Sequence, residues 1–181
     1  MLKQMGFIFD ADCCVGCKTC ETACKNENKT QPGISWRRVT QVADHKYLSV
    51  SCNHCDSPEC FRVCPERAYT KRRDGIVLID PNLCNGCMDC VGACPYTAPK
   101  FDIISHKASK CTFCLPRQQM GLEAACVSAC PTGALQMYNF KQAYPKGTVA
   151  KIEGFPDIRL TRPSIRFFPS KTRERYFLEE R

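Results

Sequence analysis

Long apolar runs are missing from this sequence. No stretch approaches the ~18 uncharged apolar residues of a membrane-crossing helix, so no transmembrane span is expected. The opening residues, MLKQMGFIFDAD, lack a charged segment followed by a long apolar one, so no secretory leader is expected either. Also missing are a nucleophile–base pair, a phosphate loop and a dinucleotide fingerprint. The chain is therefore expected to hold no substrate site. Histidine is scarce, and His45 and His106 stand without companions. The formal charge is +8, yet no nucleic-acid motif accompanies it. The excess suits an acidic partner, a membrane surface or simply a solvated exterior. Residues 141–181 carry ten Lys/Arg against five Asp/Glu.

What is abundant is cysteine, with 17 in 181 residues. Cysteine makes up much of the 44% apolar content, and the aliphatic residues are scattered. One or two small domains of this kind cannot bury a large aliphatic core, so something else must hold the chain together. The odd count and the expected lack of a leader argue against a disulfide framework.

Sixteen cysteines fall into four groups. They are Cys14-x2-Cys17-x2-Cys20-x3-Cys24; Cys52-x2-Cys55-x4-Cys60-x3-Cys64; Cys84-x2-Cys87-x2-Cys90-x3-Cys94; and Cys111-x2-Cys114-x11-Cys126-x3-Cys130. Pro65, Pro95 and Pro131 follow the last three groups, whereas Lys25 follows the first. The first and third groups are an internal duplication. FDADCCVGCKTCETAC overlies IDPNLCNGCMDCVGAC, matching Asp10 with Asp80, Gly16 with Gly86 and Ala23 with Ala93.

The run C-x2-C-x2-C-x3-C-P is the bacterial ferredoxin pattern, in which three close thiolates hold one [4Fe–4S] cluster and the fourth serves the neighbouring cluster. Zinc wants four tetrahedral ligands, usually from two separated C-x2-C pairs, and makes two three-thiolate runs superfluous. Iron–sulfur chemistry is therefore the expectation, with sixteen ligands for four clusters. Gly16 and Gly86 would let backbone N–H groups approach a cluster. The spacing alone leaves open whether the groups pair in series or nested.

The segments CVGCKTCETACK, SWRRV, LSVSCNHCDSPECFRVCP, DGIVLIDPNLCNGCMDCVGACPY and KCTFC…CVSACPTGAL resemble the iron–sulfur subunits of the dimethyl sulfoxide reductase family of molybdenum or tungsten oxidoreductases. The likeness spans residues 5–140. It implies nested pairing. Cluster 1 would take Cys14, Cys17, Cys20 and Cys130, and cluster 2 would take Cys24, Cys111, Cys114 and Cys126. Cluster 3 would take Cys52, Cys55, Cys60 and Cys94, and cluster 4 Cys64, Cys84, Cys87 and Cys90. It also implies an α+β fold of two nested ferredoxin-like units. Residues 52–100 would be inserted between 1–51 and 101–140, and 141–181 would form an extended C-terminal arm. The implied partners are a large molybdopterin or tungstopterin catalytic subunit at cluster 1 and a second redox partner at cluster 4. In many relatives that second partner is a quinol-oxidising membrane anchor. The protein would stay in the cytoplasm or leave it folded, carried with the catalytic subunit. A free-standing polyferredoxin, a hydrogenase or formate dehydrogenase subunit and a zinc-stabilised binding module are the alternatives.

Smaller features complete the reading. AYTKRRDGIVLID is expected to be a hairpin turning at Asp74-Gly75, with Lys71-Arg72-Arg73 as its charged tip. ALQMY is expected as an edge strand, and short helices should follow the third cysteines. Trp36, Arg37 and Arg38 are placed on a strand, as a packing tryptophan beside solvated arginines or as a subunit contact. His54, inside CNHC, is read as an exposed loop residue in preference to a hydrogen-bond donor to a cluster. The arm, with Ile165, Phe167, Phe168, Tyr176 and Phe177 among arginines, is expected to dock onto another subunit. Cys13, the odd thiol, aligns with Leu83 and is expected to be a small buried packing residue.

Overall fold

The structure, a computed structural model, describes residues 3–171. A three-stranded sheet carries the chain's main core. Its centre is β1 (Met5–Asp10), flanked by β8 (Leu135–Asn139) antiparallel and β9 (Ile165–Phe168) parallel. The rest is hairpins: β2 (Arg38–Ala43) with β3 (Lys46–Val50), β4 (Tyr69–Lys71) with β5 (Val77–Ile79), and β6 (Lys100–Asp102) with β7 (Lys107–Ser109). Among the described residues five short helices complete it: α1 (Thr19–Asn28), α2 (Glu59–Arg62), α3 (Asp89–Ala93), α4 (Leu115–Gln119) and α5 (Ala125–Ser128). This is the expected mixture of short strands and short helices.

β1 is flanked on both edges and buried along both faces, which is why GFIF reads as a continuous apolar run. The core beside it is aromatic where an ordinary domain would be aliphatic. Phe7 lies 4.6 Å from Phe113, Phe9 6.4 Å from Phe167, and Phe155 4.8 Å from Phe167. Each such buried ring is worth roughly 1.5–3 kcal/mol in transfer free energy. Cysteines fill the rest of the same cluster.

Prolines set the helix lengths. Groups two, three and four end in Cys-Pro, and α2, α3 and α5 stop one or two residues before that cysteine. The residue before a proline is driven out of the helical region, and Cys94 is accordingly extended at ψ 113°. Group one has Lys25 in the proline slot, and α1 runs on to Asn28 before Lys29 turns left-handed. The helices contain the third cysteines (Cys20, Cys60, Cys90 and Cys126) and do not merely follow them, so they begin earlier than expected. α1 packs on α5, and α2 on α3. The expected hairpin at Asp74-Gly75 is present, with Gly75 at φ +82°. β8 is the expected edge strand. β6 runs across the expected boundary at residue 100, and Ala108 of β7 packs with Cys60, Tyr69, Val77 and Cys90.

The C-terminal arm departs most from expectation. Ile165 and Phe167 are buried in the chain's own core, so they are not docking anchors. β9 has alternating burial, and its inward residues lie in register with Phe7 and Phe9. Upstream, Asp56 N–H donates to the Arg162 carbonyl at 2.8 Å and Ser57 N–H to the Thr161 carbonyl at 3.0 Å. The Ser164 N–H donates to the Asn53 carbonyl at 2.9 Å. The arm thus straps the second cysteine group. Tyr176 and Phe177 lie outside the described residues.

Gly6 makes the β1–β9 approach possible. A Cβ there would sit 1.9 Å from the Ser164 carbonyl oxygen, a backbone atom that cannot swing away. We expect Gly6→Ala to cost at least about 1–3 kcal/mol, read as a lower midpoint in chemical denaturation followed by circular dichroism.

Candidate iron–sulfur sites

The C-x2-C loops share one backbone device. The residue just before the second cysteine is left-handed in all four: Gly16 (φ 71°), His54 (φ 42°), Gly86 (φ 80°) and Phe113 (φ 60°). This conformation turns backbone N–H groups toward the loop interior, and the Phe113 N–H donates to Cys111 Sγ at 3.3 Å. Glycine takes it freely, whereas His54 and Phe113 are strained by roughly 1–2 kcal/mol each. Both are completely buried, and they meet edge to face at 5.2 Å. Their packing offsets the strain.

His54 is therefore no exposed loop residue. Its Nδ1 accepts the Val77 N–H at 3.1 Å, and its carbonyl accepts from Gln4 Nε2 at 2.9 Å. Burial, then the nearby Lys110 ammonium, holds its pKa well below the usual histidine value, so the ring is neutral. It braces the loop between Cys52 and Cys55.

Cysteines distant in sequence come together. Cys14, Cys17 and Cys20 line one cavity with Cys130, beside Phe9, Val39 and Leu135. Cys52, Cys55 and Cys60 line another with Cys94, beside Tyr96, Lys110 and Thr161. Cys24 lies close enough to feel the charges of Cys126, Cys114 and Cys20, and Cys111 those of Cys52, Cys24 and Cys126. Cys90 likewise feels Cys84, Cys87 and Cys64. The first cavity opens to the surface at exposed Cys17, and the second is set among mostly buried residues. Among the described residues no three His, Cys, Asp or Glu converge tightly enough for a single metal ion. Four thiols around a volume, backed by inward N–H groups, fit a cuboidal [4Fe–4S] cluster.

Burial dominates the thiols' chemistry. It pushes Cys24 and Cys60 up to about 12, with neighbouring thiolates adding to the rise. Cys55 and Cys111 are pushed well above the ordinary value for the same reasons. Cys17 moves the other way, because the Thr19 hydroxyl donates to its sulfur at 3.3 Å. Such thiols become thiolates only against bound positive charge, which iron supplies.

Cys13 and Cys14 separate as the duplication implies, but not as packing implies. Cys14 lines the first cavity, whereas the Cys13 residue is exposed, and so is its counterpart Leu83. The buried packing role expected for Cys13 is overturned. The repeated aspartates hold these entry turns: Asp10 Oδ1 accepts the Asp12 and Cys13 N–H groups, and Asp80 Oδ1 accepts the Asn82 N–H.

The SWRR segment is also corrected. Only Arg38 lies in β2. Trp36 is half-buried and donates to Ser109 Oγ at 3.0 Å. Arg38 donates to the Tyr96 carbonyl at 2.8 Å. Arg37 is neither solvated nor a subunit contact, being only 2% exposed. A second cation, Lys110, is 1% exposed and donates to the carbonyls of Val77 and Cys111. Sequence reasoning passed over it, and its one signal was adjacency to Cys111. The Lys71-Arg72-Arg73 tip is charged as expected, with Lys71 paired to Asp56 at 3.0 Å and Arg72 to Asp74 at 3.1 Å.

Residues 43–140 match the family described as a 4Fe-4S dicluster domain. The protein is 39% identical to YnfG, a probable anaerobic dimethyl sulfoxide reductase subunit of Escherichia coli, over 94% of its own length and 91% of that relative. It is 38% identical to the B subunit of anaerobic dimethyl sulfoxide reductase from the same organism, over the same shares. It is 34% identical to the B subunit of polysulfide reductase from Wolinella succinogenes, over 94% and 97%. The protein belongs to the iron–sulfur subunits of the dimethyl sulfoxide reductase family. It is an electron-transfer subunit and not the catalytic one. Among its described residues, no helix is long and apolar enough to cross a membrane.

Cys14→Ser should lower the iron content, whereas Cys13→Ser should leave it unchanged; iron analysis of the two variants checks this. Phe113→Ala should destabilise the fold by about 3–5 kcal/mol, measured by chemical denaturation, because it opens a cavity between Phe7 and His54.

Proposed function

We propose that the protein carries four [4Fe–4S] clusters in the nested arrangement. The ligand sets are Cys14, Cys17, Cys20, Cys130; Cys24, Cys111, Cys114, Cys126; Cys52, Cys55, Cys60, Cys94; and Cys64, Cys84, Cys87, Cys90. Together they form a relay for single electrons. One end meets a molybdopterin or tungstopterin catalytic subunit, and the other meets a second redox partner, either a quinol-linked membrane anchor or a soluble protein.

The observation that carries this reading is the pattern of exposure. All four cysteines of the second set are buried, as are three of the third set, with Cys94 partly buried. The first and fourth sets reach the surface, through exposed Cys17 and Cys87 and the partly buried Cys14, Cys130, Cys64 and Cys84. Two buried centres flanked by two surface centres is the layout of a wire with two terminals. Each terminal carries exposed apolar residues of the kind that seal against a partner: Val15 at the first, Leu83 and Met88 at the fourth.

When bound, the clusters supply reversible one-electron chemistry. The protein's own residues do the rest. The aromatic core and the strap formed by the arm exclude water, and Thr161 and Tyr96 wall the third set, bonded to each other at 2.6 Å. Fixed loops hold each thiol in place. The outward part of the arm, including exposed Leu160, is free to meet another subunit.

Anaerobically purified full-length protein should contain about sixteen irons and about sixteen acid-labile sulfides. A content near half of that would reduce the relay to two clusters, and zinc without sulfide would overturn it.

A further inference from the structure

Arg37 presents an electrostatic problem. Its guanidinium is always charged and is almost wholly buried. Nη1 donates to Ser49 Oγ at 3.0 Å and Nη2 to Ser51 Oγ at 2.9 Å, while Nε has no partner. Its Cζ lies 4.7 Å over the Phe7 ring. None of the ion pairs among the described residues includes it. A buried cation answered only by hydroxyls and a ring is strongly unfavourable unless other negative charge is near.

The candidate counter-charges are the cysteines on either side. Ser49 Oγ, which accepts from Arg37, is also 3.6 Å from Cys20 Sγ in the first set. Phe7, under the guanidinium, packs with tilted rings against Phe113, whose N–H points at Cys111 Sγ in the second set. Burial works against the arginine's charge, and the charges of Cys126, Cys20, Cys111 and Cys24 outweigh it. Arg37 thus stands at the boundary between the first and second sets. The boundary between the third and fourth sets is built differently. There Tyr69 packs with Cys60 and Cys90, and the buried cation is Lys110, which lines the third set's cavity with Cys60 and Cys94 and does not line the first set's cavity at Cys20.

We propose that Arg37 is the counter-ion shared by the first two clusters and raises the reduction potential of both, leaving the fourth cluster unaffected. The proposal rests on the four-cluster reading above. Its physics is direct: a reduced cluster carries one more negative charge, and a fixed cation in a poorly screened interior stabilises that state. The serine hydroxyls hold the guanidinium between the two sets, so one side chain sets two potentials together.

The test is a redox titration of the full-length protein followed by electron paramagnetic resonance, with iron and sulfide counted on every sample. Wild-type protein lacking about sixteen irons would overturn the four-cluster reading itself. With that content established, Arg37→Gln should shift the reduction equilibrium of two clusters at least tenfold toward oxidised, about 59 mV each for a one-electron couple. The other two should move far less, and Arg37→Lys should stay near wild type. Four unchanged potentials, or four equal shifts, would overturn the proposal. If Arg37→Gln fails to hold its iron, Arg37→Met is titrated in its place. Loss of iron in both neutral variants but not in Arg37→Lys would support the counter-ion role. Loss in Arg37→Lys as well would overturn it, because shape and not charge would then be what the site needs.

Discussion

A crowd of thiols, many of them buried, in a small protein imposes the constraint on which the rest of this structure depends. Burial, with neighbouring thiolates adding to it, disfavours the charged forms of Cys55 and Cys111, and it pushes Cys24 and Cys60 up to about 12. Such an interior is stable only when positive charge is delivered to it. Part of that charge is the protein's own, in Arg37 and Lys110, neither of which has a carboxylate partner among the described residues. The remainder is the kind of charge that iron brings. Fold and function are therefore coupled through electrostatics, as is general for small metal-bearing domains.

The scaffold answers this constraint with rigidity. Left-handed residues recur at the same place in four C-x2-C loops, in one of which the backbone N–H reaches a cysteine sulfur, and in two loops the strained residue is a large buried ring. Strain of this kind persists only where surrounding packing over-determines it. Here the packing comes from Phe7, from the His54–Phe113 contact and from Gln4, which reaches the His54 carbonyl. The C-terminal arm adds a strap across the second cysteine group and a third strand to the sheet. A segment whose closely spaced prolines and arginines suggest an outward extension is thereby drawn into the core, because alternate residues of IRFF face Phe7 and Phe9.

Much was legible from residues close in sequence. The spacing within each cysteine group, the duplication that separates Cys14 from Cys13, the Asp74-Gly75 turn and the Cys-Pro helix stops all act over a few residues, where backbone sterics decide. The burial of single side chains was not legible. Arg37 and Lys110 carry charge that ordinarily marks a surface, and His54 sits in a loop that ordinarily marks exposure. Leu83 and Cys13 look apolar and are exposed. In each case the environment is built by strands and loops distant in sequence, and local composition carries no record of them.

By itself, then, the sequence determined the chemistry: four thiol groups suited to iron and sulfur, and a likeness to one family of electron-transfer subunits. Only the tertiary structure decided which thiols meet. Within a group, short loops keep cysteines within reach of a common centre whatever the rest of the molecule does. The approach of Cys130 to Cys14, or of Cys94 to Cys52, depends on α1 packing on α5 and α2 on α3. Those contacts join segments separated by tens of residues, and the spacing within a motif is equally compatible with either pairing.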